Sequence, residues 1–181
     1  MKELALHIMD IAQNSLTAGA TVITIEVQED TSTDLLEIAI NDNGCGMPPD
    51  VLARVTDPYT TSRTTRKVGM GLPLLRDAAV MAQGELRINS EVGKGTSVHA
   101  AFRHSHWDRQ PLGDIAGIIT LLVQSNLGVD FIYRHSKNGK EYVFDTREVR
   151  EILQGIPLNT PDVVRLMREM LETNLEEIQI G

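Results

Sequence analysis

Leu35-Leu36-Glu37-Ile38-Ala39-Ile40 runs straight into Asn41-Asp42-Asn43-Gly44-Cys45-Gly46-Met47. The first six residues are apolar and β-branched enough for a largely buried strand. The seven that follow set a carboxylate at its end, followed by a turn with two glycines. Glycine lets main chain approach closely whatever the carboxylate holds. A carboxylate at the lip of a core suits an exocyclic amino donor of the kind adenine carries at N6. Taken alone, the heptapeptide reads equally as a polar strand-to-loop turn.

Upstream, Leu4, Ile8, Ile11, Ala12 and Leu16 recur at a helical period over residues 3–16. Asp10 and Asn14 are four apart and share a face of that helix. Such a pair fits a solvated stripe, or a water-orienting acid beside a metal-binding amide. Gly19 caps the helix. Thr21 to Val27 alternates as a strand, and a polar turn over 29–34 makes residues 21–40 a hairpin that delivers Asp42. Pro48-Pro49-Asp50 leads into a short helix over 51–55.

Residues 57–67, Asp-Pro-Tyr-Thr-Thr-Ser-Arg-Thr-Thr-Arg-Lys, are rich in hydroxyls and positive charge and have no apolar period. They feed Val68-Gly69-Met70-Gly71-Leu72, after which Leu72, Leu74, Leu75, Ala78, Ala79 and Met81 form an apolar helical face. Free amide groups and the positive dipole end at that helix start favour an anion. Residues 84–90 and 95–102 read as two further strands. Residues 104–111 form a linker whose His104 and His106 have no partner pattern for a zinc site. Beyond it come a helix over 112–125, strands over 129–135 and 140–145 joined by an Asn138-Gly139 hairpin, and helices over 146–153 and 160–178.

The composition narrows the function classes. Of 181 residues 41% are apolar, enough for a core, but aromatics at 4% make that core aliphatic. A net charge of −8 argues against a nucleic-acid surface, while one basic loop still suffices for a triphosphate. Cys45 is the single cysteine, which excludes an internal disulfide. The start is not a signal peptide and no apolar run reaches the roughly 18 residues of a spanning helix, so a cytoplasmic protein with no membrane partner is expected.

Four signals stand in one order: acid-x-x-x-Asn on a first helix, Asp-x-Gly-x-Gly after a strand, Gly-x-Gly opening a helix, and Gly-Thr opening a strand. In this the chain resembles the GHKL superfamily of gyrase, heat-shock chaperones, histidine kinases and MutL. It is most similar there to the histidine-kinase ATP-binding domain and the anti-sigma-factor kinases. Asp10 to Asn14 matches the N box and Asp42 to Gly46 the adenine box. Thr56-Asp57-Pro58-Tyr59 matches the lid segment with Thr56 replacing an aromatic, Gly69 to Leu72 the final glycine box, and Gly95-Thr96 the last strand's box. The resemblance implies an α+β fold: a two-layer α/β sandwich of Bergerat type, with a mixed sheet and helices on one face. It would occupy residues 1–104, followed by the linker over 105–111 and a small α+β C-terminal appendage over 112–181.

The resemblance also implies roles. Asp42 would accept from adenine N6, Gly44 and Gly46 would let backbone meet the base, and Thr96 would bond toward Asp42 or a water. Asn14 would ligate Mg²⁺. Thr61, Arg63, Arg66 and Lys67, with the amides of Gly69, Gly71 and Leu72, would hold the triphosphate. Asp10 stands where relatives place a glutamate that polarises the attacking group. The cofactors implied are ATP and Mg²⁺. With about two residues before the first helix, a kinase reading needs a phosphoacceptor in trans, and His7 is expected to pack or be solvated. The alternative is an ATP-switched binding module that acts on a partner through the C-terminal region without phosphotransfer. A homo-oligomer is left open.

Overall fold

The computed structural model describes residues 2–57 and 70–179. β1 (Val22–Asp30) and β2 (Leu35–Asp42) form the expected antiparallel hairpin. β2 pairs antiparallel with β4 (Gly95–Arg103), which pairs with β3 (Glu85–Glu91) at one edge. On the other side of β1, β5 (Asp130–Lys137) runs parallel to it from Val22↔Asp130 to Glu29↔Lys137. β6 (Lys140–Asp145) completes the sheet antiparallel to β5, across a turn in which both Asn138 and Gly139 take positive φ. The order is β3-β4-β2-β1-β5-β6, a mixed six-stranded sheet to which the C-terminal region contributes the last two strands.

Alternation puts one face of this sheet in the core. Ile23, Ile25 and Val27, Leu36, Ile38 and Ile40, Val98, Ala100 and Phe102, and Phe131 and Tyr133 are all buried. The opposite face carries Thr24, Glu26, Glu37, His99 and Arg134, none of them buried. Against the apolar face pack α3 (Gly71–Met81), α1 (Leu4–Thr17), α4 (Ile115–Ser125) and α6 (Pro161–Gln179), each touching the next in that order. α2 (Pro49–Leu52) is a single turn with proline at its start, and α5 (Thr146–Leu153) follows β6 directly. The result is the two-layer α/β sandwich that the motifs imply. All three phenylalanines are interior, whereas the one tryptophan, Trp107, is 92% exposed on the linker.

Local chemistry ends the elements where it should. α1 stops in a Schellman motif: the Gly19 N–H donates to Leu16 O, the Ala20 N–H to Ser15 O, and Gly19 takes φ +76°. α4 starts on Asp114, whose side chain accepts from the Gly117 N–H at 2.8 Å. At the end of the sheet far from Asp42, Glu29 fastens three segments together. Its Oε1 accepts from His135 Nε2 of β5 at 2.8 Å and from Gln179 of α6 at 2.9 Å, and its Oε2 pairs with His104 Nε2 at 2.8 Å. Tyr133 Oη lies 2.8 Å from His135 Nδ1, which extends the chain into the core.

Candidate functional site

The apolar ladder of the inner face ends in a polar row. Register places Ile40 opposite Val98 and Val98 opposite Ile88, and two residues on it places Asp42 opposite Thr96 and Thr96 opposite Ser90. Period-two alternation keeps these three polar side chains on the helix-facing side, under the C-terminal half of α1. Ser15 of α1 is buried and donates from Oγ to Asp42 Oδ2 at 2.5 Å, a short bond of the charge-assisted kind. Asp42 Oδ1 accepts from the Gly44 N–H at 2.8 Å and from the Thr96 N–H at 3.3 Å. Asn43 turns away: its Oδ1 accepts from the N–H groups of Thr21 and Val22, and its Nδ2 donates to Thr21 Oγ1.

The glycines meet protein atoms at close range. A Cβ on Gly44 would stand 2.9 Å from Ala18 Cβ, one on Gly46 would fall on the Glu91 carbonyl, and one on Gly95 on the Asp42 carbonyl. Gly46 and Gly95 also hold φ of +68° and +120°. The turn after Asp42 is thereby pressed onto β3 and β4. Ser90 ties the same parts from beneath: its Oγ accepts from the Met47 N–H at 2.8 Å, donates to Gly95 O at 3.0 Å, and lies 2.9 Å from Thr96 Oγ1.

Asp10 and Asn14 stand one turn apart on α1, both partly exposed, with Asn14 next to Ser15. The first residue of α3 comes against Asp10, since a Cβ on Gly71 would lie 3.0 Å from Asp10 Cβ and 3.3 Å from its Oδ2. Leu72 is buried in the core beside it. So α1 links two groups, Asp42–Thr96–Gly44 at its C-terminal end and Asp10–Gly71 one to two turns earlier. Thr61, Arg63, Arg66, Lys67 and Gly69 lie outside the described residues, as do Pro58 and Tyr59. His7 is packed rather than solvated: its Nε2 is 3.0 Å from Gln110 Oε1 and its Nδ1 has no partner among the described residues. Burial pushes the His7 imidazole below its ordinary value, against the raising effect of Gln110 and Asp10.

Ser15 and Ser90 are absent from the motif reading, although each leaves a signal. Ser15 falls on the apolar side of α1, with Ile8 and Ile11, where a buried hydroxyl needs a partner. Ser90 ends the inward-facing series Leu86, Ile88, Ser90. Among the described residues no cluster of three or more His, Cys, Asp or Glu side chains is suited to a metal, and no helix is long and apolar enough to cross a membrane.

The Sensor protein kinase FleS of Pseudomonas aeruginosa is 33% identical over 89 residues, which cover 49% of this chain and 22% of that protein. The Non-motile and phage-resistance protein of Caulobacter vibrioides is 29% identical over 116 residues, covering 61% of this chain and 14% of that protein. The chain thus matches less than a quarter of the length of these relatives. In fold it is similar to the Aquifex aeolicus MutL ATPase domain complexed with ADP, with a TM-score of 0.52 and 17% identity over 85% of this chain and 70% of that one. The family model for the histidine kinase-, DNA gyrase B- and HSP90-like ATPases matches residues 2–106, more than half of the sequence. The motif order, the polar row at the end of a one-sided mixed sheet and this match together show that the chain belongs to that ATPase family.

Proposed function

We propose that the chain binds ATP with magnesium at the Asp42 end of the sheet, and that the bound nucleotide serves phosphotransfer to a separate protein, or slow hydrolysis, in regulation. The observation that carries this reading is the state of Asp42. Three protein donors fix the carboxylate, yet Oδ2 accepts only from Ser15 among the described residues. A carboxylate offers about four lone-pair sites, so one remains for an exocyclic amine. Asn14 is the residue suited to a hard cation, as an oxygen donor with Asp10 one turn away. That sparse set fits Mg²⁺, which keeps several waters and is usually shared with substrate phosphates. When bound, the ion would neutralise phosphate charge. Asp10 would orient the attacking hydroxyl or water. Thr61, Arg63, Arg66 and Lys67, with the amides of Gly69, Gly71 and Leu72, would hold the phosphate oxygens. The sensor-kinase relatives favour protein phosphotransfer over free hydrolysis.

Calorimetry with MgATP tests the site. Asp42→Asn places an amide N–H₂ or a single carbonyl oxygen where the Ser15 hydroxyl, two backbone amides and the base amine all need acceptors. Binding is expected to fall below detection, and unchanged affinity would refute the pocket. Incubation with γ-labelled ATP and candidate partner proteins tests the reaction. Label on a partner that disappears with Asn14→Ala supports phosphotransfer. Nucleotide-dependent capture of a partner with no label supports the switched module instead. One observation favours that second reading: Asn43 holds Thr21, and Thr21 O accepts from the Asp130 N–H at the start of β5, so the adenine box and the C-terminal region share a strand start.

A further inference from the structure

Ser90, like Ser15, belongs to no motif, and the proton count at its hydroxyl is closed. A serine hydroxyl has one proton to donate and two lone pairs to accept. The Gly95 carbonyl, 3.0 Å away, can only accept, so the Ser90 proton goes there. The Met47 N–H, 2.8 Å away, can only donate, and it takes one lone pair. The remaining contact, 2.9 Å to Thr96 Oγ1, is then made by the Thr96 proton on the second lone pair of Ser90. Every position on Ser90 is filled and the one proton of Thr96 is committed inward. The Thr96 amide N–H is committed too, to Asp42 Oδ1. What Thr96 offers outward is lone pairs alone, beside the carboxylate that stands opposite it in register.

We propose that Ser90 is a specificity-determining positioning residue: by holding the Thr96 hydroxyl as an obligate acceptor, it makes Asp42 and Thr96 a two-acceptor edge that selects a 6-amino purine over a 6-oxo purine. This rests on the nucleotide-site reading above. An amino group brings two protons to such an edge. A 6-oxo group brings lone pairs against lone pairs, and a hydroxyl free to turn would relieve that conflict by donating. Fixed polarity at Thr96 therefore matters more for discrimination than for affinity.

The test is calorimetry of the full chain with MgATP and with the magnesium salt of inosine triphosphate, whose base carries a 6-oxo group. Wild type is expected to favour ATP. Ser90→Ala frees the Thr96 hydroxyl, so ATP binding weakens while inosine triphosphate binding holds or improves, and the preference shrinks by about tenfold. Ser90→Thr, which keeps a hydroxyl, is expected to retain the preference. In a Thr96→Val background the further change Ser90→Ala should leave the ratio where Thr96→Val put it. If Ser90→Ala weakens both nucleotides by one factor, the hydroxyl is only structural and the proposal is wrong. Equal binding of the two nucleotides by wild type overturns it as well. Should Ser90→Ala not fold, by circular dichroism, Thr96→Val alone must shrink the preference, and an unchanged ratio there counts against the proposal. Wild type that binds neither nucleotide brings down the site reading itself, a result separate from all of these.

Discussion

Asp42 is held from three directions by the protein itself: by the Ser15 hydroxyl above it, by the amide two residues on, and by the amide of the neighbouring strand. Such a carboxylate is aimed before any ligand arrives, which is what recognition of a single amino group requires. Ser15→Ala removes the one donor that comes from α1. The expected result is a three- to tenfold loss of ATP affinity with about 1.5–3 kcal/mol of lost stability, the usual worth of a hydrogen bond to a charged group. Calorimetry and urea unfolding check both. Full affinity in the variant would mean that the two backbone amides aim Asp42 unaided. The residue scale is also where the sequence was hardest to read. Asp10, Asn14, Asp42 and Thr96 sit in a spacing that can be recognised along the chain. Ser15 and Ser90 matter through partners 27 and 6 residues away, respectively, and a lone serine has no spacing to recognise.

Elements were legible where their pattern is local. Alternation over 21–27, the apolar, β-branched run over 35–40, the Gly19 cap and the Asn138-Gly139 turn each point to what is found, although the run is buried only at every second residue. β1 runs on to Asp30, through polar residues that read as a turn, because β2 pairs with it as far as Asp30↔Leu35 and β5 lies alongside on the other side as far as Glu29. That parallel pairing joins strands about 100 residues apart and has no local signature, since partner choice is settled by packing. Glycines show the same division between local and tertiary demand. Gly19 has a positive φ and nothing within 4 Å of an added Cβ, so Gly19→Ala costs only backbone strain, about 1–2 kcal/mol. Gly46 has a similar φ but the Glu91 carbonyl in the way, so Gly46→Ala should cost roughly 3 kcal/mol or more. Paired urea curves measure the gap, and equal midpoints would show that the turn after Asp42 yields freely.

At the scale of the whole molecule, the two ends of the sheet do different work. The Asp42 end is the candidate site, and the Glu29 end binds β1, β5, the linker and α6 into one body. Burial alone would raise the Glu29 carboxyl, but hydrogen bonds from His135, His104 and Gln179 outweigh it and bring the value down to about 2 from the ordinary 4.5. A folded value below the unfolded one contributes stability that is complete above about pH 4.5 and is lost as the pH falls toward 2, at most roughly 3 kcal/mol. Acid unfolding of wild type and Glu29→Gln should therefore differ. The variant is less stable at pH 7 and loses less between pH 4.5 and pH 2, and parallel acid curves would refute the clasp. Trp107 carries a practical consequence for all such measurements. An indole already surrounded by water in the native state emits as it would in the denatured chain, so its fluorescence colour is a poor witness to unfolding. It is, for the same reason, a well-placed lamp for anything that comes to cover the linker.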